Sequence, residues 1–269
     1  MKRKIGIIGC GSIGAEIAKS IEKRLFEKAR LVGISDTDIT KAARLARALH
    51  SRPEVLSIPK LIRRSDLIVE AASARVSAKV ARDCIRAGKD VMIMSVGGLL
   101  KEPKIFLLAE RKSVRVYIPS GALCGIDAVK AARVAGIDEA TLTTSKPPLA
   151  YAGSPYVIKN KIDLLSIRKK RTLFVGSAQE AVDLFPQNIN VAATLALAGL
   201  GAKRTRVRIM AEPALKRNRH QIEVKGKFGR LSALTENAPS PENPKTSYLA
   251  VLSAVATLEG ILGPVKIGT

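Results

Sequence analysis

The chain has 269 residues, of which 46% are hydrophobic, and its 46 Lys and Arg against 23 Asp and Glu give a formal charge of +23. This length and apolar content suit two modest domains with separate cores and leave no surplus for a membrane span, so a cytoplasmic protein without a membrane partner is expected. Three cysteines without CxxC spacing give no support to a disulfide framework or a metal site, and 3% aromatics with no Trp leave the basic surplus without a base-stacking platform, so it reads as a solvated cationic face and not as a nucleic-acid surface.

From Lys4 to Ala135, short apolar runs alternate with helical stretches, the mark of βαβ units on a parallel sheet. Strands are predicted over residues 4–8, 30–35, 66–71, 90–96 and 114–118. Ile13, Ile17, Ile21 and Leu25 recur every four residues and predict an intervening helix with one apolar face. Further helices are predicted over residues 40–50, 77–87, 103–111 and 126–134, the last stopping at Gly136. Beyond Gly136 the pattern changes. Residues 141–145, 204–210, 221–224 and 229–235 read as strands, and residues 177–184 and 190–198 as helices. Residues 236–244, rich in Pro and Asn, read as a connecting loop before an apolar helix over 246–259. The expected fold class is α/β, with an N-terminal doubly wound parallel sheet over 1–136 and an α+β domain containing an antiparallel sheet over 137–240. Residues 241–269 are expected to carry a helix back to the first domain.

The chemistry begins at Gly9-Cys10-Gly11-Ser12-Ile13-Gly14, a G-x-G-x-x-G run that follows an apolar strand and opens an amphipathic helix. In that setting it reads as the fingerprint of a Rossmann dinucleotide-binding domain. Gly9 permits the tight turn, Gly11 admits the pyrophosphate, Gly14 lets helix and strand approach, and the amides at Ser12 and Ile13 face the phosphates. Asp36, at the end of the second strand, stands where an acid accepts hydrogen bonds from the adenosine ribose and repels a 2′-phosphate. NAD is therefore expected over NADP, with NADP still open. Asp36 as a turn cap and Asp38 as the ribose ligand are the alternatives. Ala72 and Ser73, at the carboxyl end of the third strand, are further cofactor contacts or simply loop residues, and the same holds for Val96-Gly97-Gly98 after the fourth.

His220 shares strand parity with Ile222, Val224 and Phe228 and so points inward, either as an active-site group or as a satisfied core histidine. His50 ends a helical run and reads as a C-terminal cation. Four segments carry a more specific signal: Ile118-Pro119-Ser120-Gly121-Ala122, Thr144-Ser145-Lys146-Pro147-Pro148, the run from Phe185 to Leu195, and Asn218-Arg219-His220. With the glycine fingerprint they span nearly the whole chain, which resembles the L-aspartate dehydrogenase family.

That resemblance implies a homodimeric NAD-dependent enzyme that takes hydride from the α-carbon of L-aspartate. The product is iminoaspartate, which water converts to oxaloacetate and ammonia and which can feed pyridine nucleotide biosynthesis. It also implies cofactor contacts at Ala122 and Asn188 and a catalytic role for His220, whose ordinary pKa of about 6.5 suits proton transfer. Lys146, stiffened by two following prolines, is then a candidate for a substrate carboxylate or one more surface lysine. Asn190 and Thr194, four apart at a helix start, can share a face toward the ligands, unless Asn190 is the N-cap. A related dehydrogenase acting on another amino or keto acid, such as a relative of homoserine dehydrogenase, and a silent NAD-binding protein are the rival readings.

Overall fold

The opening strand β1 (Arg3–Ile8) buries Ile5, Ile7 and Ile8, then breaks at Gly9 into helix α1 (Ser12–Arg24), whose Ile17 and Ile21 are shut away from water. Each such side chain is worth about 1.5–3 kcal/mol of burial, which seats the predicted stripe against the sheet. The computed structural model describes residues 1–186, 189–241 and 243–268 and divides the chain into two units, the first comprising Met1–Pro119 and Val251–Lys266.

In this unit β1 is joined by β2 (Ala29–Ser35), β3 (Leu67–Glu70), β4 (Asp90–Ile93) and β5 (Val116–Tyr117), all parallel, in the order β2-β1-β3-β4-β5. The chain leaves β1 for β2 on one side and returns to β3 on the other, so the switch point lies between β1 and β3. A lone parallel bridge from Ile34 to Val55 extends the sheet beyond β2. Helices α2 (Ile39–Ala48), α3 (Ile58–Arg64), α4 (Ala74–Arg86) and α5 (Lys104–Arg111) complete the connections. Helix α3 has no counterpart among the expected elements: it is seven residues long with a proline in its first turn, too short for a periodic signal, although Leu61 and Ile62 are buried. Ala254 and Leu258, far along the chain, are fully buried in the core formed by Ile5, Ile7, Ile34, Leu67 and Met92.

The second unit comprises Ser120–Ala250 and Ile267–Thr269. Its sheet contains β6 (Ile137–Lys146), β7 (Arg171–Ser177), β8 (Thr205–Ala211), β9 (Asn218–Gly226) and β10 (Gly229–Asn237) in the order β10-β9-β6-β8-β7. Three joints are antiparallel, while β6 and β8 run parallel, so the sheet is mixed. Strand β7 was not expected, because it starts in the basic run 168–171, whose charge hides the half-buried strand that follows.

Helices α6 (Ile126–Ala135), α7 (Pro155–Lys159), α8 (Ala178–Leu184) and α9 (Asn190–Ala198) belong to this unit, and α8 opens with a capping box between Ser177 and Glu180. The rings of Tyr151, Tyr156, Phe174 and Phe185 cluster with centroids 5.3–6.2 Å apart. Residues 236–244 are not the expected loop. Strand β10 runs on to Asn237, and a ribbon of β11 (Pro239–Ser240) and β12 (Asn243–Ser247) leads into α10 (Tyr248–Leu262). Asn237 extends the strand because its amide donates to the Ala122 carbonyl at 3.2 Å. Among the described residues no helix is long and apolar enough to cross a membrane.

Candidate active site

At the carboxyl end of β1, Gly9 adopts φ +99°, and a side chain there would strike the backbone of Ala71 and Ala72 at 2.5–2.6 Å. A Cβ on Gly14 would lie 1.9 Å from the Gly9 carbonyl oxygen, whereas one on Gly11 would meet nothing nearer than the Lys41 Nζ at 3.8 Å. Two glycines are therefore demanded by packing, and the middle one borders open space. No side chain caps the N-terminus of the 13-residue α1, and the buried Ser12 hydroxyl lacks a hydrogen-bond partner. Free first-turn amides, an orphan hydroxyl and room above Gly11 fit a dinucleotide diphosphate.

Asp36 follows β2, and its carboxylate accepts from the Cys10 amide at 2.7 Å and the Asp38 amide at 2.9 Å. Partial burial pushes its pKa up, but those two N–H groups and the Lys41 charge outweigh burial and hold the carboxyl below its ordinary range. Asp36 thus ties the end of β2 to the glycine turn. Asp38 caps α2 by accepting from the Lys41 amide at 3.0 Å, so its side chain is spent on the helix. Ala72 and Ser73 lie exposed at the end of β3 with their amides turned inward onto Glu70. Gly98 packs so closely on α4 that a Cβ would fall 2.2 Å from the Ala74 carbonyl oxygen.

In the second unit His220 lies on β9 directly opposite Thr144 of β6, and the Thr144 hydroxyl sits 3.2 Å from its Nδ1. Ile222 and Val224 share its inward face, but Phe228 does not: it lies beyond the end of β9 and is exposed, since the turn breaks the alternation. Burial first, and the Lys146 charge second, pull the imidazole down to about 3, so it is neutral near pH 7. Burial alone brings Lys146 down to about 8. Lys146 ends β6, and the turn after it is fastened by the Tyr151 hydroxyl, which donates to the Met210 carbonyl at 3.0 Å. The arrangement offers a proton-accepting imidazole whose one nitrogen is held, beside a partly dehydrated ammonium suited to an anion.

The predicted residues Gly9, Gly11, Ser12, Ile13, Gly14, Asp36, Ala72 and Ser73 all gather at the carboxyl ends of β1, β2 and β3. Ala122 is buried in the second unit, with its carbonyl accepting from Thr235 and Asn237. Asn188 lies outside the described residues. Asn190 is the first residue of α9, not its N-cap, which is Ile189, and Thr194 donates to the Asn190 carbonyl at 3.0 Å. The fully buried Glu70, the partner Thr144 and the overhanging Lys41 were not singled out from sequence. Of these, only Glu70 carried a signal, an acid closing an otherwise apolar strand before three small residues.

Two family models cover most of the chain: the C-terminal domain of aspartate dehydrogenase matches residues 127–261, and the NAD-binding domain of homoserine dehydrogenase matches residues 9–119. L-Aspartate dehydrogenases of Methanosarcina acetivorans and Methanosarcina barkeri are 49% and 48% identical to it, each over 99% of both chains. The structure of aspartate dehydrogenase from Thermotoga maritima superposes with a TM-score of 0.75 at 25% identity over the full length of both chains. A homoserine dehydrogenase from Thiobacillus denitrificans, 15% identical with a TM-score of 0.63 over 97% of this chain and 73% of its own, shares the fold.

Proposed function

Since the chain belongs to the aspartate dehydrogenase family, we propose that it oxidises L-aspartate with NAD, or with NADP, to iminoaspartate, which water converts to oxaloacetate and ammonia. The observation that carries this reading is the buried imidazole of His220 beside the ammonium of Lys146, within the segment matched by the family's own domain. When bound, the nicotinamide supplies the hydride acceptor. The α1 amides and the Ser12 hydroxyl hold the diphosphate, Asp36 receives the ribose hydroxyls, and Ala72, Ser73, Ala122 and Asn188 line the cofactor.

On the substrate side, Lys146 holds a carboxylate, with Asn190 and Thr194 as further polar contacts. His220 takes the proton shed by the substrate amine or by the attacking water. Its low pKa suits this role once substrate is present, because two carboxylates nearby favour the imidazolium and raise that pKa toward neutrality. Thr144 keeps the ring in one orientation meanwhile.

The decisive experiment follows absorbance of the reduced cofactor with L-aspartate, D-aspartate, L-glutamate and homoserine against NAD and NADP. Reduction with L-aspartate above the others is expected. Turnover of homoserine alone, which the match of residues 9–119 keeps as the second reading, would overturn the proposal. The reading includes a cytoplasmic homodimer, and a monomeric mass by light scattering would remove the dimer from it.

A further inference from the structure

The switch point between β1 and β3 has Gly9 on one lip and Glu70 on the other, and Glu70 is fully buried. A carboxylate with no exposed surface is costly unless dipoles or cations surround it. Here one oxygen accepts from the Ala72 amide at 2.8 Å and the Ser73 amide at 3.1 Å, and the other accepts from the Ser95 amide at 3.1 Å. Both oxygens are acceptors from main-chain donors, an arrangement that matches the ionised form, in which neither oxygen needs to donate. Burial is the larger influence and holds the carboxyl above its ordinary range, while these N–H groups and the Ser95 hydroxyl favour the anion and limit the rise.

The donors come from two loops, residues 71–73 after β3 and residue 95 after β4. The first of these loops touches the Gly9 turn, and the second leads into the segment whose Gly98 packs on α4. Ser77 adds a bond between α4 and the same loop by donating to the Ser95 carbonyl at 2.8 Å. One side chain therefore holds together the rim of the crevice in which open parallel sheets bind nucleotides. A purely apolar strand end would bury the same area without ionic cost, so the acid calls for an electrostatic explanation.

We propose that Glu70 is the positioning residue of the dinucleotide crevice, fixing the loops after β3 and β4 and biasing the site toward the cationic, oxidised nicotinamide over the neutral, reduced one. The inference rests on the reading that NAD binds this unit. Its physical content is that a charge screened only by fixed dipoles reaches further through the protein than one at the surface. Such a charge distinguishes two ligands that differ by one positive charge, whereas a loop-holding role affects both alike.

The test is calorimetric titration of the full chain with NAD⁺ and with NADH, comparing wild type with Glu70→Gln and Glu70→Asp. In Glu70→Gln the ratio of the NADH to the NAD⁺ dissociation constant should fall at least about fivefold, the scale of a unit charge acting at moderate effective permittivity. In Glu70→Asp both constants weaken while the ratio stays within about twofold of wild type, because the anion is kept. Equal weakening of both ligands in Glu70→Gln, or no change, overturns the proposal. Should that variant fail to fold, a collapsed ratio in Glu70→Asp overturns it instead. Failure of the wild type to bind either nucleotide would sink the reading of the site as a cofactor crevice, a result distinct from all of these.

Discussion

The two units handle buried charge in opposite ways. In the first, Glu70 and Asp36 are met by main-chain amides of the turns that follow the parallel strands. In the second, His220 and Lys146 sit on neighbouring strands, and loss of water shifts both toward their uncharged forms. The first arrangement is complete without a ligand, whereas the second gains from an arriving anion. A crevice built from backbone dipoles is set by chain geometry, and a side-chain cluster is set by what enters it.

Substitutions can break this contrast. The largest effect is expected at His220: His220→Ala should cut turnover by about 10² to 10⁴ while NAD binding persists, as single-turnover and titration measurements would read. Unchanged turnover would remove His220 from the mechanism. On the other side, Gly14→Ala should cost at least about 3 kcal/mol of stability in denaturant melts, because no rotamer can relieve a Cβ 1.9 Å from the Gly9 carbonyl oxygen. Gly11→Ala, by contrast, should melt like wild type and lose dinucleotide affinity, since its Cβ would enter the space assigned to the diphosphate. Equal melting losses in the two variants would show that the glycines serve packing alone.

A smaller effect distinguishes the units by pH. The His220 pKa is depressed in the folded chain, so the unfolded chain binds more protons between pH 6.5 and the folded value of about 3. Stability therefore falls as pH drops through that window, by about 3 kcal/mol from pH 6.5 to 4, and His220→Gln should flatten this limb in denaturant titrations at the two pH values. The mildest effect concerns Lys146, whose cation is lost as pH rises through about 8. The KM for L-aspartate should climb above that pH in wild type, and Lys146→Met should raise it about tenfold at pH 7 with little change in the affinity for NAD. A flat KM across that range would detach Lys146 from the substrate.

How much could be read in advance follows the same division. The parallel sheet was legible because Ile5, Ile7, Ile17 and Ile21 announce strand and helix by spacing, and the glycine run lies where β1 ends. The inward aim of His220 was legible from its alternation with Ile222 and Val224. Strand β7 and the ribbon before α10 were not, because charge at Arg171 and prolines at 239 and 244 override the local pattern; β7 takes its pairing from β8, distant in sequence, while the short ribbon pairs with itself. Glu70 escaped for a similar reason. Its significance lies in the amides of Ala72, Ser73 and Ser95, and main-chain donors leave no trace in side-chain identity.

Because Ala254 and Leu258 fill the core of the first unit, that unit is left unfinished for as long as the ribosome is still making the second. Some 130 residues of intervening chain must emerge before the gap is closed, so the amino-terminal sheet waits with exposed Ile and Leu. Nascent chains halted at residue 250 should therefore be protease-sensitive over residues 1–119, and emergence of residues 251–266 should protect them.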